Sequence, residues 1–269
     1  MQVMRFFSKV ALVAVLVAVA GCSSSPTGRK QFAVLPDSEM TKMGVASFSS
    51  MKQETPASSN AKLNQEVQCV ADSIIAVLPD PYRKQKWEVV LFNDKQVNAF
   101  ALPGYKIGVY TGLLKVAKNP SQLAAVIGHE IGHVIARHGN ERMSTQLVTS
   151  QLLSLGYQVS GEESAEKTAL FQALGIGAQI GIILPFSRTQ ESEADLLGLQ
   201  YMAKAGFDPR ESVKLWQNMS QGSTSQVPEL LSTHPANASR IQHLRNNMTN
   251  NLAIYEALVA KHKQAQCSA

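Results

Sequence analysis

No run of basic residues, and no interleaving of aromatic with basic side chains, occurs in these 269 residues. That excludes the usual nucleic-acid footprint, although the formal net charge is +5. The scattered excess of Lys and Arg fits solubility and loose attraction to anionic membrane surfaces. Two of its members, Arg5 and Lys9, lie in a segment expected to be removed. Long apolar runs are missing near the start: the stretch 10–20 falls short of the roughly 20 residues that cross a bilayer. No internal repeat is present, so a repeat architecture is excluded. Cysteine is scarce too, with three in the chain.

The N-terminus is the first informative stretch. Arg5 and Lys9 precede the apolar run, and Val19-Ala20-Gly21-Cys22 follows it. A positive region, a short apolar core and small residues before a cleavage point make a secretory signal. Small residues directly before a Cys resemble a bacterial lipobox, which implies cleavage before Cys22 and lipid on its sulfur. Ser23, rather than Asp, follows, so the resemblance favours the outer membrane, facing the periplasm. The expected organisation is a signal peptide over 1–21, a lipid-anchored tether over 22–39 and one domain over 40–269. Cys69 and Cys267 remain. In an oxidising compartment they are a disulfide candidate, with two unpaired thiols as the alternative.

Along the body, helical periodicity begins near Met40 and again over 61–77, which a Leu78-Pro79-Asp80-Pro81 cluster ends. Residues 87–92 read as a strand. Residues 97–110 hold another, broken at Pro103-Gly104, whose 107–111 half alternates like a half-exposed edge strand. Asn119-Pro120-Ser121-Gln122 is a capped helix start, and the helix is expected to run to Gly139. Further helices are expected over 143–155, 188–205, after Asp208-Pro209 and after His234-Pro235. The apolar stretch 169–184 reads as a buried core helix or pocket lid, with membrane contact as the alternative. The order is mostly helical with a small sheet near the front, hence α+β.

The chemistry lies in His129-Glu130-Ile131-Gly132-His133, inside the helix that Asn119 opens. Residues four apart on a helix differ by about 40° in direction, so both imidazoles face one side. Two neutral imidazoles suit zinc, and the Glu between them reaches a metal-activated water as general base. A third ligand is then required. His138 fails on geometry: nine residues from His129 and five from His133, it points roughly 140–180° away and reads as a surface or helix-end histidine. Glu191 and Asp195 are again four apart, so one can ligate while the other holds a ligating His.

An H-E-x-x-H helix, then Ser187 to Asp195 as S-R-x-x-E-x-x-x-D, then a His-Pro, resembles the HtpX and CaaX-prenyl-protease family of gluzincin metallopeptidases. Asn98 to Gly104 and Thr111-Gly112-Leu113-Leu114 match the strand ahead of that family's zinc helix. The pattern is most like the family's periplasmic lipoproteins and mitochondrial Oma-type enzymes. The resemblance implies a zincin-type domain whose small sheet has an edge strand bordering the cleft. It also implies one Zn²⁺ held by His129, His133 and Glu191, with Asp195 behind them and Glu193 uninvolved. His234 then lies near the metal, as an oxyanion donor or a latency ligand, with Arg240 as its partner. Tyr105 departs from the pattern, since many members carry a second Gly there.

The expected activity is endopeptidase cleavage of misfolded periplasmic or outer-membrane proteins, with Glu130, His234 and Asp195 in the catalytic machinery. Substrate is expected as an added strand along 107–111. The implied partners are such unfolded proteins, the membrane through Cys22, and outer-membrane assembly machinery, with no nucleic acid. Two alternatives stand: a scaffold lipoprotein with a structural zinc, and a processing protease with one cleavage site.

Overall fold

The computed structural model describes residues 22–160, 186–221, 229–234 and 238–267. The signal peptide and the stretch 169–184 lie outside the described residues. Chain order is a hairpin, β1 (Cys22–Ser24) and β2 (Lys30–Phe32), then helices α1 (Asp37–Glu54) and α2 (Ala61–Ile75). Strands β3 (Glu88–Phe92), β4 (Ala99–Leu102) and β5 (Lys106–Tyr110) follow. Then come α3 (Pro120–Ile135), α4 (His138–Ser160), α5 (Arg188–Lys204) and α6 (Arg210–Gln221). The last helices are α7 (Glu229–Thr233), α8 (Ala238–Asn246) and α9 (Met248–Val259). The class is α+β. No helix among the described residues is long and apolar enough to cross a membrane.

The sheet runs β3-β5-β4, with β5 parallel to β3 and antiparallel to β4. Residues 107–111, expected at an edge, therefore belong to the central strand. Alternation of Ile107 and Val109 with Gly108 and Tyr110 reads as half exposure only if the second face meets water. It meets an aromatic cluster instead: Phe48 of α1 packs edge-on to Phe92 at 5.9 Å and Phe100 at 6.2 Å. Gly108 is bare because the Phe100 ring crosses it, 2.2 Å from where a Cβ would stand. The outer side of β3 is partly covered by 56–58, since Ser58 donates to Leu91 O and Asn93 to Pro56 O. Among the described residues no strand pairs with the outer side of β4, which is the open edge.

The other face of the sheet meets the main core, where Ile107 and Val109 pack with Val67, Ile74, Leu123 and Ile127. Burying each such side chain stabilises the fold by about 1.5–3 kcal/mol. Through this core runs α3, opened as its sequence demands: Asn119 Oδ1 accepts from Gln122 N at 2.9 Å, with Pro120 at the first position. Helix α5 opens with a reciprocal Ser187–Gln190 cap. The two helices cross almost backbone to backbone. A Cβ on Gly198 would stand 2.7 Å from His129 N, and one on Gly132 would stand 3.0 Å from Ala194 O. Small residues on both sides of the crossing let α5 approach close enough for short carboxylate side chains to reach α3.

Two further features differ from or add to the sequence reading. The segment 22–39 is not a plain tether: it carries the β1–β2 hairpin, with Ser25 and Gln31 buried, and the first residues of α1. Cys69 and Cys267 form a disulfide, Cα–Cα 5.6 Å, that holds the C-terminal segment against α2.

Candidate metal centre

Side-chain atoms of His129, His133, Glu191 and His234, all buried, lie within 4.8 Å of one another. His129 Nε2 is 3.0 Å from His133 Nε2 and 3.2 Å from His234 Nδ1. Glu191 Oε2 is 3.5 Å from His129 Nε2, and its Oε1 is 3.4 Å from His133 Nε2. Ligand atoms on a tetrahedron with metal bonds of roughly 2.0–2.1 Å stand about 3.3–3.4 Å apart, so the spacing fits one cation. The donor chemistry, imidazole and carboxylate, fits zinc.

Each α3 histidine has its other nitrogen committed. His129 Nδ1 lies 2.9 Å from Asp195 Oδ1, and Arg240 grips both oxygens of that carboxylate at 2.7 Å. Arg240 also reaches Glu191 Oε2 at 2.8 Å and lies flat on Trp216, 3.5 Å from the ring centre. With Nδ1–H donated to Asp195, His129 turns Nε2 toward the cluster. On the other side, His133 Nδ1 lies 2.9 Å from His138 Nδ1, and His138 Nε2 donates to Glu193 Oε2 at 3.0 Å.

That placement corrects the reading of His138 as a surface or helix-end residue. It is fully buried behind His133. Helix α3 ends at Ile135 rather than at Gly139, and Arg137 takes the left-handed conformation at φ 57. The phase that a continued helix imposes is lost there, and His138 turns back. Glu193, expected to be uninvolved, is likewise buried and bonded to His138. Trp216, His138 and Glu193 carried no local signal, since their partners come from distant stretches of chain.

The electrostatics show a strong demand for positive charge. Burial and Arg240 pull the His129 pKa down, yet hydrogen bonds to Asp195 and Glu191 outweigh them and raise it to about 9. Burial pushes Glu191 up, but His234 and His129 overcome it and hold the carboxyl far below the usual range. Burial drives the His133 pKa well down, which keeps that ring neutral. Glu130 is raised, chiefly by burial, and its Oε1 has no hydrogen-bond donor among the described residues. The His234 Nε2 atom is 3.5 Å from it.

A cleft of about 230 Å³ opens beside His133, bordered by Ala101 and Leu102 of β4 and by Tyr105, Arg142 and Phe186. Phe186 stacks on His133 at 3.9 Å, with the Arg142 guanidinium over its far face at 4.1 Å.

A His pair with a Glu between them, joined by a carboxylate from a neighbouring helix, marks the metallopeptidase class of site. Within that class, the chain belongs to peptidase family M48, which matches residues 60–248. It is 38% identical to the mitochondrial metalloendopeptidase OMA1 of Arabidopsis thaliana, over 65% of this chain and 34% of that protein. The OMA1 of Saccharomyces cerevisiae is 34% identical over 68% of this chain and 51% of its own length. The β-barrel assembly-enhancing protease of Escherichia coli is 33% identical over 61% and 34%. The matched part thus spans a third to a half of these relatives.

Proposed function

We propose that this chain is a zinc-dependent endopeptidase of the bacterial cell envelope that degrades misfolded periplasmic or outer-membrane proteins. The observation that carries hydrolysis is Glu130 Oε1: a buried carboxylate oxygen without a donor among the described residues, beside a converging His-His-Glu set. His129, His133 and Glu191 would hold one zinc ion. When bound, it supplies Lewis-acid polarisation of water and of the scissile carbonyl. Glu130 accepts the water's proton and passes it to the leaving nitrogen, and its raised pKa suits both duties. Asp195 and Arg240 hold His129 in the orientation that this requires.

Extended substrate adds to the open edge of β4, not to 107–111, because β5 is paired on both sides. Backbone pairing of this kind favours unfolded chain. The envelope setting is supported by the signal-like N-terminus with its Cys22 lipobox, by the Cys69–Cys267 disulfide and by the relative named for β-barrel assembly. That name also supports outer-membrane assembly machinery as a partner.

One observation favours a second reading, a scaffold with structural zinc: His234 lies within reach as a fourth protein ligand, which would close the site. Digestion of denatured casein by the zinc-loaded chain separates the two. Glu130→Gln should retain one zinc per chain by elemental analysis and lose roughly 10²–10⁴-fold in turnover. Wild-type turnover by this variant would remove Glu130 from the mechanism, and an inert zinc-loaded wild type would leave the scaffold.

A further inference from the structure

The buried side chains behind His133 do not stop at Glu193. Its Oε2 accepts from Arg29 Nε at 2.7 Å and its Oε1 from the Thr27 hydroxyl, both in the turn of the N-terminal hairpin. Arg29 spreads its remaining nitrogens over Glu141 of α4, both contacts at 2.7 Å, and Gln190 of α5 donates to Glu141 Oε2 at 2.8 Å. One guanidinium therefore joins carboxylates on α4 and α5, the helices that carry His138 and Glu191. The segment that follows β2 is stitched to α4 as well: Val34 N donates to Ser144 Oγ, and Asn140 exchanges hydrogen bonds with Leu35.

The direction of each proton follows from the partners. Glu193 is ringed by donors: Arg29 Nε and the Thr27 hydroxyl both give hydrogen bonds to its carboxylate oxygens. It can only accept, so His138 carries its hydrogen on Nε2 and offers Nδ1 as acceptor. His133 must then donate from Nδ1, which leaves the Nε2 lone pair for the metal centre. The same logic runs from Arg240 through Asp195 to His129. The two ligand histidines are oriented by two arginine-anchored relays, and one of them begins in the hairpin.

We propose that Arg29 is a positioning residue for the metal centre: docking of the N-terminal hairpin, through Glu193 and His138, sets the tautomer of His133 and thereby the affinity for zinc. This rests on the reading of His133 as a ligand. The hairpin starts at Cys22, so the segment that anchors the chain in the proposed function also braces its active centre. Partners that orient ligating histidines typically change metal affinity by roughly 10–100-fold.

The test is zinc affinity of the full chain, measured by chelator competition. Arg29→Ala should weaken zinc binding by about 10-fold. Arg29→Lys, which keeps the charge but not the fork to two carboxylates, should fall between, and it serves if the alanine variant does not fold. A double-mutant cycle with His138→Phe distinguishes a relay from general loosening. In a relay, Arg29→Ala costs little more once His138 is gone. Unchanged zinc affinity in both Arg29 variants, or full additivity with His138→Phe, would overturn the proposal. His133→Ala with wild-type zinc affinity would instead overturn the ligand assignment, a separate failure.

Discussion

His234 Nδ1 lies 3.2 Å from His129 Nε2 and 2.8 Å from Glu191 Oε1, within reach of a metal held by the proposed ligands. Arg240 steadies it through its main-chain oxygen at 3.3 Å. A fourth protein ligand removes the open position that a catalytic zinc needs. His234→Ala should therefore raise the basal rate of casein cleavage in metal-replete protein. Were His234 an oxyanion donor, its loss would slow turnover by roughly 10²–10³-fold, so the sign of the change decides. At this scale the sequence was legible wherever spacing is local. His129 and His133 share a helix face by their separation of four, and so do Glu191 and Asp195. His138 was illegible because one left-handed residue, Arg137, resets the direction of everything after it. Tyr105, at φ 63, stands in the left-handed region where a Gly would be free of strain, which matches its departure from the family pattern.

Between elements, the crossing of α3 and α5 sets the distance from Glu191 to the histidines. The atoms nearest a Gly198 Cβ are backbone, His129 N at 2.7 Å and Gly128 C at 3.0 Å, and these cannot turn aside as a side chain would. Gly198→Ala should cost about 1–3 kcal/mol of stability and weaken zinc binding, because the helices must separate. Thermal unfolding with and without zinc measures both. Gly139→Ala is the contrast, since its nearest neighbour is Met40 Cε at 3.8 Å in ordinary contact. It should stabilise α4 by about 0.5–1 kcal/mol. Destabilisation by Gly139→Ala equal to that of Gly198→Ala would show that the crossing has no special role. The strands teach a related lesson. Alternation in 107–110 located a strand, but which strand lies at the edge depends on pairing, and Phe48 from α1 covers the face that looked polar.

Over the whole chain, the disulfide joins residues 198 apart and pins the C-terminal segment, whose Ala265 N donates to Gly206 O at 3.1 Å. Loop closure on that scale restricts the unfolded chain by up to roughly 5 kcal/mol, less any strain in the folded state. Replacing Cys69 and Cys267 together by Ser should lower the urea midpoint clearly; an unchanged midpoint would mean that the core alone holds this end. At the other end, Cys22→Ser should leave the protein in the soluble envelope fraction. Labelled fatty acid tests this directly, and continued incorporation by the variant would refute lipidation at Cys22.

The sequence alone determined the helix starts at Asn119, the zinc-type spacing of His129 and His133, and the α+β class. Each of these follows from interactions within a few residues, through hydrogen bonds to the first turn and the 3.6-residue period. Only the tertiary structure decided that β5 is central and β4 open, that Glu193 and His138 stand behind His133, and that the presumed tether folds back onto Glu141 and Glu193. Those outcomes depend on which segments far apart in the chain can approach. Bare backbone at Gly108, Gly132 and Gly198 and a single reversed residue at Arg137 control that approach, and neither leaves a periodic trace.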